Sequence, residues 1–250
     1  MTAISTVIIT LNEEYNIERC LNSVKDISDE IIVVDSFSTD KTADICKKNH
    51  VNFSENKFID YANQKNYANE LCKNDYILSI DADEELSKEL IKEIKRIKEI
   101  TLFDGYSFNR LTNYCGKWVK HSGWYPDKKL RLFNKHKFSW NNGLHEKLES
   151  NTQVNIKHIP KDILHHSYPS ISSHVKQMNS FSTLAANEAY EKKKKINFFI
   201  HLVLYPFITF IKNYFLKLGF LDGKTGFIVC VHKAYYRYLK YSKLYNNYSK

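Results

Sequence analysis

The sequence predicts an α/β fold in which a doubly wound, mostly parallel sheet of Rossmann type is followed by an irregular α+β segment and a helical C-terminal region. Strand-like apolar runs alternate with helical periodicity over the first hundred residues, an order typical of parallel sheets. Short strand-like pieces separated by Gly, Asn and Pro come next, and helical periodicity returns towards the C-terminus. A chain of 250 residues can form one large domain, or one domain with an appendage.

The first hundred residues carry this alternation in detail. Apolar, β-branched runs predict strands at 4–10, 30–35, 51–54 and 75–81. Helical spacing predicts a helix from residue 17 and further helices over 40–48 and 61–72. A single apolar stripe then predicts an amphipathic surface helix, through Leu86, Leu90, Ile94 and Ile97.

Changes in the pattern of apolar and turn-forming residues divide the chain into three parts. Residues 1–100 are predicted to form the α/β half of the main domain. Residues 101–169 are predicted to form its second half, with the strand-like pieces GYSFNRL, KKLRLFN, KFSW and VNIKHI. Residues 170–250 are predicted to be helical, with helices over 170–195, 196–218 and 222–244.

The positive charge of the chain is concentrated at its C-terminal end. The formal net charge is +9, and residues 192–250 hold 12 Lys and Arg residues against one acid, Asp222. The same stretch holds 15 of the 32 Phe and Tyr residues. A surface that is both basic and aromatic suits nucleic acid or anionic lipid as a partner.

Cysteine usage and the N-terminus indicate the compartment. The five cysteines are odd in number and scattered, and none forms a C-x-x-C pair. This pattern indicates a reducing environment and favours neither a disulfide framework nor a zinc site. The N-terminal sequence lacks the basic segment and cleavage site of a secretory signal. We therefore expect a cytoplasmic protein.

Acidic residues follow three of the predicted strands, which end in TLNEE, DSFSTD and DADE. Because ligands of open α/β sheets bind beyond the carboxyl ends of the strands, these clusters are expected to line one crevice. A D-x-D pair can present two carboxylates to one hard cation, and such a cation can hold a diphosphate. The sequence contains no P-loop and no G-x-G-x-x-G motif, so a metal is expected to hold the phosphates.

These motifs resemble a known family. The segments VIITLNEEYNIERCLNSV, EIIVVDSFSTDKTADI and DYILSIDADEEL resemble the nucleotide-binding half of family 2 glycosyltransferases, which have a GT-A fold. The block GWYPDKKLRLFNKHKFSWNNGLHEKLE and the tail GFLDGKTGF resemble the branch that includes lipopolysaccharide-core β-glucosyltransferases. The resemblance makes residues 1–100 the nucleotide-sugar-binding half, and residues 101–169 the acceptor-binding and catalytic half.

The resemblance implies an inverting transfer of a sugar such as glucose from a UDP-sugar, with Mn²⁺ or Mg²⁺ as cofactor. The acceptor is implied to be a hydroxyl of a glycan or glycolipid such as lipopolysaccharide core. The implied nucleotide cradle follows the first strand, at Thr10, Asn12 and Glu13. The implied acidic positions are Asp35 at the base or ribose, Asp81 at the ribose and metal, and Asp83 as the principal metal ligand.

The catalytic base is open between two carboxylates, because the E-D dipeptide of the commoner family pattern is missing. An inverting transfer needs one carboxylate to accept the proton of the attacking hydroxyl. We favour Asp127, which follows the aromatic pair Trp124 and Tyr125, a stretch suited to stacking on a sugar. Glu146 is the alternative.

Five further residues lie near the predicted site. His145 is expected to complete the metal shell from the diphosphate side, since imidazole is a common metal ligand. Arg131 or Lys129 is expected to touch the diphosphate. The pair His165 and His166 is interpreted as structural.

Two rival classes fit less well. A nucleotidyltransferase would share the acidic metal site, but its N-terminal loop is usually glycine-rich and basic, whereas LNEEYN is acidic. A nucleic-acid-binding module would explain the basic tail but not the acidic crevice, so no nucleic acid partner is expected.

The tail is instead predicted to hold the enzyme on an anionic membrane surface, at the inner face of the cytoplasmic membrane. The most apolar stretch is interrupted by Asn197, His201 and Pro206, and it falls short of the ~20 apolar residues of a spanning helix. We therefore expect it to lie on the membrane without crossing it.

Overall fold

The computed structural model describes residues 1–100, 102–141 and 146–249. The chain falls into two compact units. The first comprises Met1–Arg110 and Asp127–His166, and the second comprises Leu111–Pro126 and Ser167–Lys250. Residues 111–126, which the sequence placed with the second half of the main domain, therefore belong to the unit that contains the C-terminal helices.

The strands of the described chain are β1 (Ile4–Thr10), β2 (Glu30–Asp35), β3 (Asn52–Glu55), β4 (Tyr76–Asp81), β5 (Glu84–Leu86), β6 (Gly105–Tyr114), β7 (Lys117–Val119), β8 (Asp127–Asn134), β9 (Ser139–Asn141), β10 (Lys147–Glu149) and β11 (Ile156–Tyr168). The main sheet has the order β3-β2-β1-β4-β8-β6-β11-β5. Pairing is parallel from β3 to β4, and β8 joins β4 and β6 in antiparallel fashion. The predicted α/β class with a doubly wound sheet is confirmed.

Four helices cover the sheet of the first unit: α1 (Ile17–Val24), α2 (Thr42–Lys48), α3 (Tyr61–Glu70) and α4 (Lys88–Glu99). Helix α4 begins at Ser87, whose side chain accepts a hydrogen bond from the Leu90 backbone N–H at 3.2 Å, a typical N-cap. Its apolar stripe is buried in the main core. The predicted amphipathic helix is therefore confirmed.

The sheet topology creates one crevice. The chain leaves β1 for β2 and β3 on one side and returns to β4 on the other, and ligands of open α/β sheets bind at such a reversal. The parallel register pairs Thr10 with Asp35 and Ile9 with Asp81. The ends of β1, β2 and β4 therefore lie at one edge, as predicted.

Strand β11 is longer than the sequence predicted. It runs for 13 residues, whereas the apolar pattern marked only the piece VNIKHI. Pro160 interrupts the pattern, because proline cannot donate to a strand ladder and usually marks an edge or a strand end. The extension places His165 opposite Glu84 of β5, which brings this histidine to the candidate site.

The second unit is mainly helical. Its long helices are α5 (Ile171–Glu191), an apolar helix at Phe199–Leu216 and α7 (Gly223–Tyr248). The α-helical middle of the apolar helix is α6 (Tyr205–Ile211), with π-helical turns at Phe199–Leu204 and Lys212–Leu216. Ala186 and Ala189 of α5 pack against Tyr241 and Leu244 of α7.

The apolar helix is long and apolar enough to cross a membrane by length and composition. It has 18 residues, a mean hydropathy of 1.4 and only 6% of its residues buried. The sequence predicted a shorter, interrupted stretch. Asn197 precedes the helix, and His201 and Pro206 are accommodated within continuous helical turns.

Two glycines of the tail sequence GFLDGKTGF permit a close backbone approach. A Cβ at Gly226 would lie 1.9 Å from the carbonyl oxygen of Gly219. A Cβ at Gly219 would lie 2.8 Å from the carbonyl oxygen of Asn213 and 2.8 Å from the Ser122 Oγ. Backbone atoms cannot move aside as a flexible side chain can, so glycine is required at both positions.

We expect Gly226→Ala to lower the free energy of unfolding by about 3 kcal/mol, the upper part of the range for overpacking, because the obstructing atom belongs to the backbone. Chemical denaturation of the full chain measures this value. Gly116→Ala is the matched control: φ there is +83° and nothing lies within 4 Å of the added Cβ, so it should cost only ~1 kcal/mol of backbone strain. Equal losses for the two variants would contradict the packing argument.

A cluster of aromatic and imidazole rings fills another part of the second unit. The Nδ1 atoms of His174 and His232 lie 3.0 Å apart, and the Tyr114 hydroxyl lies 3.3 Å and 3.1 Å from them. The ring of Tyr168 lies 4.4 Å from that of His174. Burial, with a smaller contribution from His232, lowers the pKa of His174 to about 4.

This lowered pKa predicts acid sensitivity. The pKa of an unfolded histidine is ~6.5, so below that pH the unfolded chain binds a proton that folded His174 does not. The free energy of unfolding should therefore fall as pH drops from 7 towards 4, by up to about 3 kcal/mol. Denaturation at several pH values, compared with His174→Phe, isolates this contribution. Parallel pH curves for the two proteins would contradict it.

Candidate active site

The crevice is lined by the residues that end β1 and β2. Thr10 is buried, and among the described residues its hydroxyl has no hydrogen-bond partner. Asp35 is fully buried, and its carboxylate accepts hydrogen bonds from the Ser38 backbone N–H at 2.6 Å and the Ser38 hydroxyl at 2.5 Å. In this structure Asp35 therefore stabilises the turn that follows β2.

The loops after β1 and β2 brace each other. Asn12 has a φ of 55°; its backbone N–H donates to the Ser38 hydroxyl at 2.8 Å, and its side-chain oxygen accepts from the Thr39 backbone N–H at 2.8 Å. The Glu13 backbone N–H donates to the Thr42 hydroxyl at 2.8 Å. Burial raises the pKa of the Glu13 carboxyl, and the charge of Asp83 acts in the same direction. These hydrogen bonds hold in place the loop after β1, where the nucleotide cradle is predicted.

Asp81, at the end of β4, lies between two cations. Its Oδ1 is 3.0 Å from the Lys65 Nζ, and its Oδ2 is 2.7 Å from Arg131. Burial alone would raise the pKa of Asp81, but the charges of Arg131 and Lys65 outweigh it and hold that pKa well below its ordinary value. Asp81 is therefore ionised and positioned from both sides.

Arg131 was predicted to touch the diphosphate, and the structure gives it a different set of contacts. It is only 3% exposed, and its guanidinium donates to Asp81 at 2.7 Å and to Glu84 at 2.6 Å. Burial lowers the pKa of Arg131, but the two carboxylates outweigh it and raise that pKa. Arg131 thus holds Asp81 and Glu84 in place, and its contact with the diphosphate stays a prediction.

Asp83 differs from its neighbours because its partner is a histidine. Its Oδ2 lies 3.0 Å from the Nε2 of His165, and its side chain is 24% exposed. Burial lowers the pKa of His165, but the hydrogen bond and the charge of Asp83 raise that pKa by a larger amount. The net shift of the His165 pKa is therefore upwards. His165, interpreted from sequence as structural, thus contacts the predicted metal ligand.

Glu146 shares a lysine with Asp81. The Lys65 Nζ lies 3.1 Å from the Glu146 Oε1 and 4.5 Å from the centre of the Trp140 ring, a cation–π distance. The Lys65 side chain is only 2% exposed. His145, the predicted additional metal ligand, lies outside the described residues.

Asp127, at the start of β8, also lies between cations. Its Oδ2 accepts hydrogen bonds from Arg110, from the Nε at 3.0 Å and from the Nη2 at 2.7 Å. Its Oδ1 lies 3.2 Å from the Lys129 Nζ. The β6–β8 register places Arg110 directly opposite Asp127. Lys129, the other residue predicted to touch the diphosphate, thus contacts Asp127.

The part of the chain that carries these residues also matches a known protein family. Residues 5–158 match the sequence profile of Glycosyl transferase family 2, and this range contains the candidate site residues from Thr10 to Glu146, with both candidate bases. The chain belongs to glycosyltransferase family 2.

Relatives along the whole chain agree with this family. An uncharacterized glycosyltransferase of Rickettsia typhi is 35% identical over 98% of this chain and 87% of its own length. A lipopolysaccharide core biosynthesis glycosyltransferase of Rhizobium meliloti, LpsC, is 28% identical over 98% of this chain and 93% of its own length. The predicted resemblance to family 2 and to its lipopolysaccharide-core branch is thus confirmed, as is the GT-A type of fold.

A solved structure of TarS from S. aureus aligns over 99% of this chain and 91% of that chain, with 15% identity and a TM-score of 0.45. That similarity is too low to bear on the chemistry of this family 2 member.

The carboxylates fit a divalent cation that is held by few protein ligands. Within the described ranges, no group of three His, Cys, Asp or Glu side chains is arranged to hold a metal ion. Both side chains are partly exposed, but both oxygens of Asp81 contact cations, whereas Asp83 has one oxygen on His165. Mg²⁺ is commonly held by one or two carboxylates, with waters and substrate phosphates completing its shell. Asp83 suits that role in a family 2 enzyme.

Two residues of this site had no predicted role. Lys65 lies in the middle of α3, where a lysine is usually solvated, and its burial depends on contacts with distant residues. Glu84 belongs to the DADE cluster, but its side chain is fully buried and accepts from the Asp81 backbone N–H at 3.0 Å and from Arg131. The acidic cluster itself was a usable signal for Glu84, whereas no sequence signal identified Lys65.

Proposed function

We propose that this family 2 glycosyltransferase transfers a sugar such as glucose from a UDP-sugar to a hydroxyl group, with inversion at the anomeric carbon. The observation that supports this most is the arrangement at the end of β4, where Lys65 and Arg131 contact both oxygens of Asp81 while His165 contacts one oxygen of Asp83. A carboxylate held through both oxygens, beside one held through a single oxygen, suits a donor bound through ribose and metal.

The proposed acceptor is a glycan or glycolipid, with lipopolysaccharide core as the leading example. Support comes from the whole-length similarity to a relative named as a lipopolysaccharide core biosynthesis glycosyltransferase. The basic and aromatic tail suits an acceptor that is carried on a membrane lipid.

In the proposed reaction, Asp83 helps to hold Mn²⁺ or Mg²⁺, and such a cation neutralises the charge that grows on the departing diphosphate. Thr10, Asn12 and Glu13 would line the nucleotide cradle, with Asp35 near the base or ribose. Asp127 would accept the proton of the acceptor hydroxyl as it attacks the anomeric carbon, and Glu146 is the alternative base.

The proposal is tested with radiolabelled UDP-sugars. Incubation of the full chain with a panel of donors should release UDP with one preferred sugar, and EDTA should stop that release while added Mn²⁺ restores it. Hydrolysis that survives EDTA would contradict metal dependence. No turnover of any donor, with or without lipid-linked acceptor, would contradict the proposed activity.

We also propose that the enzyme sits on the inner face of the cytoplasmic membrane through the second unit. The apolar helix exposes large side chains, with Phe199 60%, Phe207 62% and Leu216 76% exposed. At ~1.5 Å per residue, a helix of 18 residues measures about 27 Å, slightly less than the ~30 Å apolar core of a bilayer. This length also permits a span, so the proposed position in the interface rests on the exposed aromatic side chains and on the lysines of the second unit, which suit lipid phosphates.

We expect the full-length chain to float with liposomes that contain anionic lipid and to bind less as salt rises, because the attraction between lysines and lipid phosphates is screened. Flotation at low and high salt, with neutral liposomes as control, measures this. Salt-insensitive binding that is equal on neutral and anionic liposomes would contradict the surface model, as would complete absence of binding.

A further inference from the structure

We propose that Lys217, Lys233 and Arg237 form a binding site for the phosphate group of an anionic membrane lipid. This proposal rests on the membrane association proposed above. It assigns the contact with lipid phosphates to one place in the second unit. This place is the loop at residues 121–124, which Lys217 and Lys233 border; the charge of Arg237 acts on Lys233.

Lys233 is fixed on this loop by its ammonium group. The Nζ donates to the backbone carbonyl oxygens of Ser122 at 3.0 Å and Gly123 at 3.3 Å, and it lies 3.3 Å from the Asn213 Oδ1. Arg237 follows four residues later on α7 and is exposed. Residues four apart lie on the same face of a helix, so both charges are presented on one side of α7.

Lys217 reaches the same loop from the end of the apolar helix. Its Nζ lies 2.7 Å from the point where a side chain at residue 123 would place its Cβ. Gly123 has a φ of 66°, a conformation in which glycine is favoured. The Ser122 backbone N–H donates to the Lys217 carbonyl oxygen at 3.0 Å. Glycine at 123 therefore leaves room for a second ammonium group beside Lys233.

The chain supplies no carboxylate to these cations. Throughout the described residues, no ion pair joins Lys217, Lys233 or Arg237 to an Asp or Glu. Asp222, the one acid between residues 192 and 250, is engaged by His121, whose backbone N–H lies at 2.8 Å and whose Nδ1 lies at 2.9 Å. Burial, with the charges of Lys217 and Arg237, lowers the pKa of Lys233 to about 8. A bound anion would offset this repulsion.

The surroundings favour a lipid over a soluble phosphate. Lys217 is flanked in the chain by Leu216 and Leu218, which are 76% and 45% exposed, and Phe220 and Leu221 beside them are 43% and 56% exposed. Exposed apolar side chains next to unpaired cations match a ligand that has both acyl chains and a phosphate.

The test compares two charge-matched double variants of the full-length chain. Lys217→Gln with Arg237→Gln removes two charges of the site, and Lys193→Gln with Lys224→Gln removes two exposed charges elsewhere in the second unit. Lys233 is kept, because its ammonium holds the loop. Vesicles of phosphatidylcholine with phosphatidylglycerol are the probe. We expect the site variant to lose about tenfold more affinity than the control, since charge-assisted hydrogen bonds to phosphate are stronger than diffuse attraction.

The outcomes separate this site from the wider proposal. Equal losses in the two double variants would overturn the site and leave membrane association standing, whereas a wild-type chain that binds no vesicles would overturn both. Inorganic phosphate, compared with chloride at equal ionic strength, forms a separate arm. Stabilisation of the wild-type chain by phosphate, without vesicle binding, would overturn the lipid assignment. If circular dichroism shows the site variant to be unfolded, the exposed single variant Arg237→Gln replaces it, with Lys224→Gln as control.

Discussion

We expect Asp83→Asn to abolish sugar transfer and the metal-dependent binding of UDP. A neutral amide is a poor ligand for a hard divalent cation. In the D-x-D pair, both oxygens of Asp81 contact Lys65 or Arg131, whereas Asp83 has one oxygen on His165. Folding should survive, because an asparagine oxygen can still accept the hydrogen bond from His165.

The matched control is Asp26→Asn, which makes the same chemical change at an exposed position after α1. Calorimetric titration of UDP with and without Mn²⁺, together with a turnover assay, measures both effects. The control should retain the metal dependence of the wild-type chain. Near-normal turnover of Asp83→Asn at low Mn²⁺ would show that the metal is held elsewhere.

Local sequence was sufficient to predict the half of the sheet that carries the crevice. β1, β2 and β4 are apolar and β-branched, their strand period is unambiguous, and each ends in polar residues. Because parallel strands bring their carboxyl ends to one edge, the convergence of these polar residues could be predicted from strand assignment alone; the structure adds the register, which pairs Thr10 with Asp35. The fold class and the acidic crevice could therefore be predicted without tertiary information.

The cations of the site could not be predicted in the same way. Lys65 lies on a helix whose sequence is largely polar, and its burial depends on the distant partners Asp81 and Glu146. His165 reaches Asp83 through the antiparallel register of β11 with β5, and Pro160 obscures the strand that sets this register. His165 contacts Asp83, and Glu146 contacts Lys65, over 80 or more positions of sequence. Contacts at such a separation leave no local pattern.

The choice of catalytic base illustrates the same limit. Sequence favoured Asp127 partly because Trp124 and Tyr125 precede it and suit sugar stacking. The Trp124 ring instead packs edge-on against Tyr114, with ring centres 5.9 Å apart. Arg110 and Lys129 instead hold the Asp127 carboxylate in place at the start of β8, and its role as the base stays a prediction.

We expect Asp127→Asn to lower turnover by about 10²–10⁴-fold, the usual contribution of general-base catalysis, with UDP binding unchanged. An amide cannot accept the acceptor proton, yet its oxygen can still accept a hydrogen bond from Arg110, so the fold should be retained. Steady-state kinetics with the preferred donor, together with UDP titration, separates the catalytic effect from donor binding.

Glu146→Gln should lower turnover less. Its carboxylate shares Lys65 with Asp81, so its loss should act mainly on donor binding, through a changed position of Lys65, and should raise the donor KM more than it lowers kcat. Mutant kinetics distinguish these cases, because loss of an interaction made only in the transition state lowers kcat. The reverse ranking, with a large fall in kcat for Glu146→Gln and a small one for Asp127→Asn, would identify Glu146 as the base.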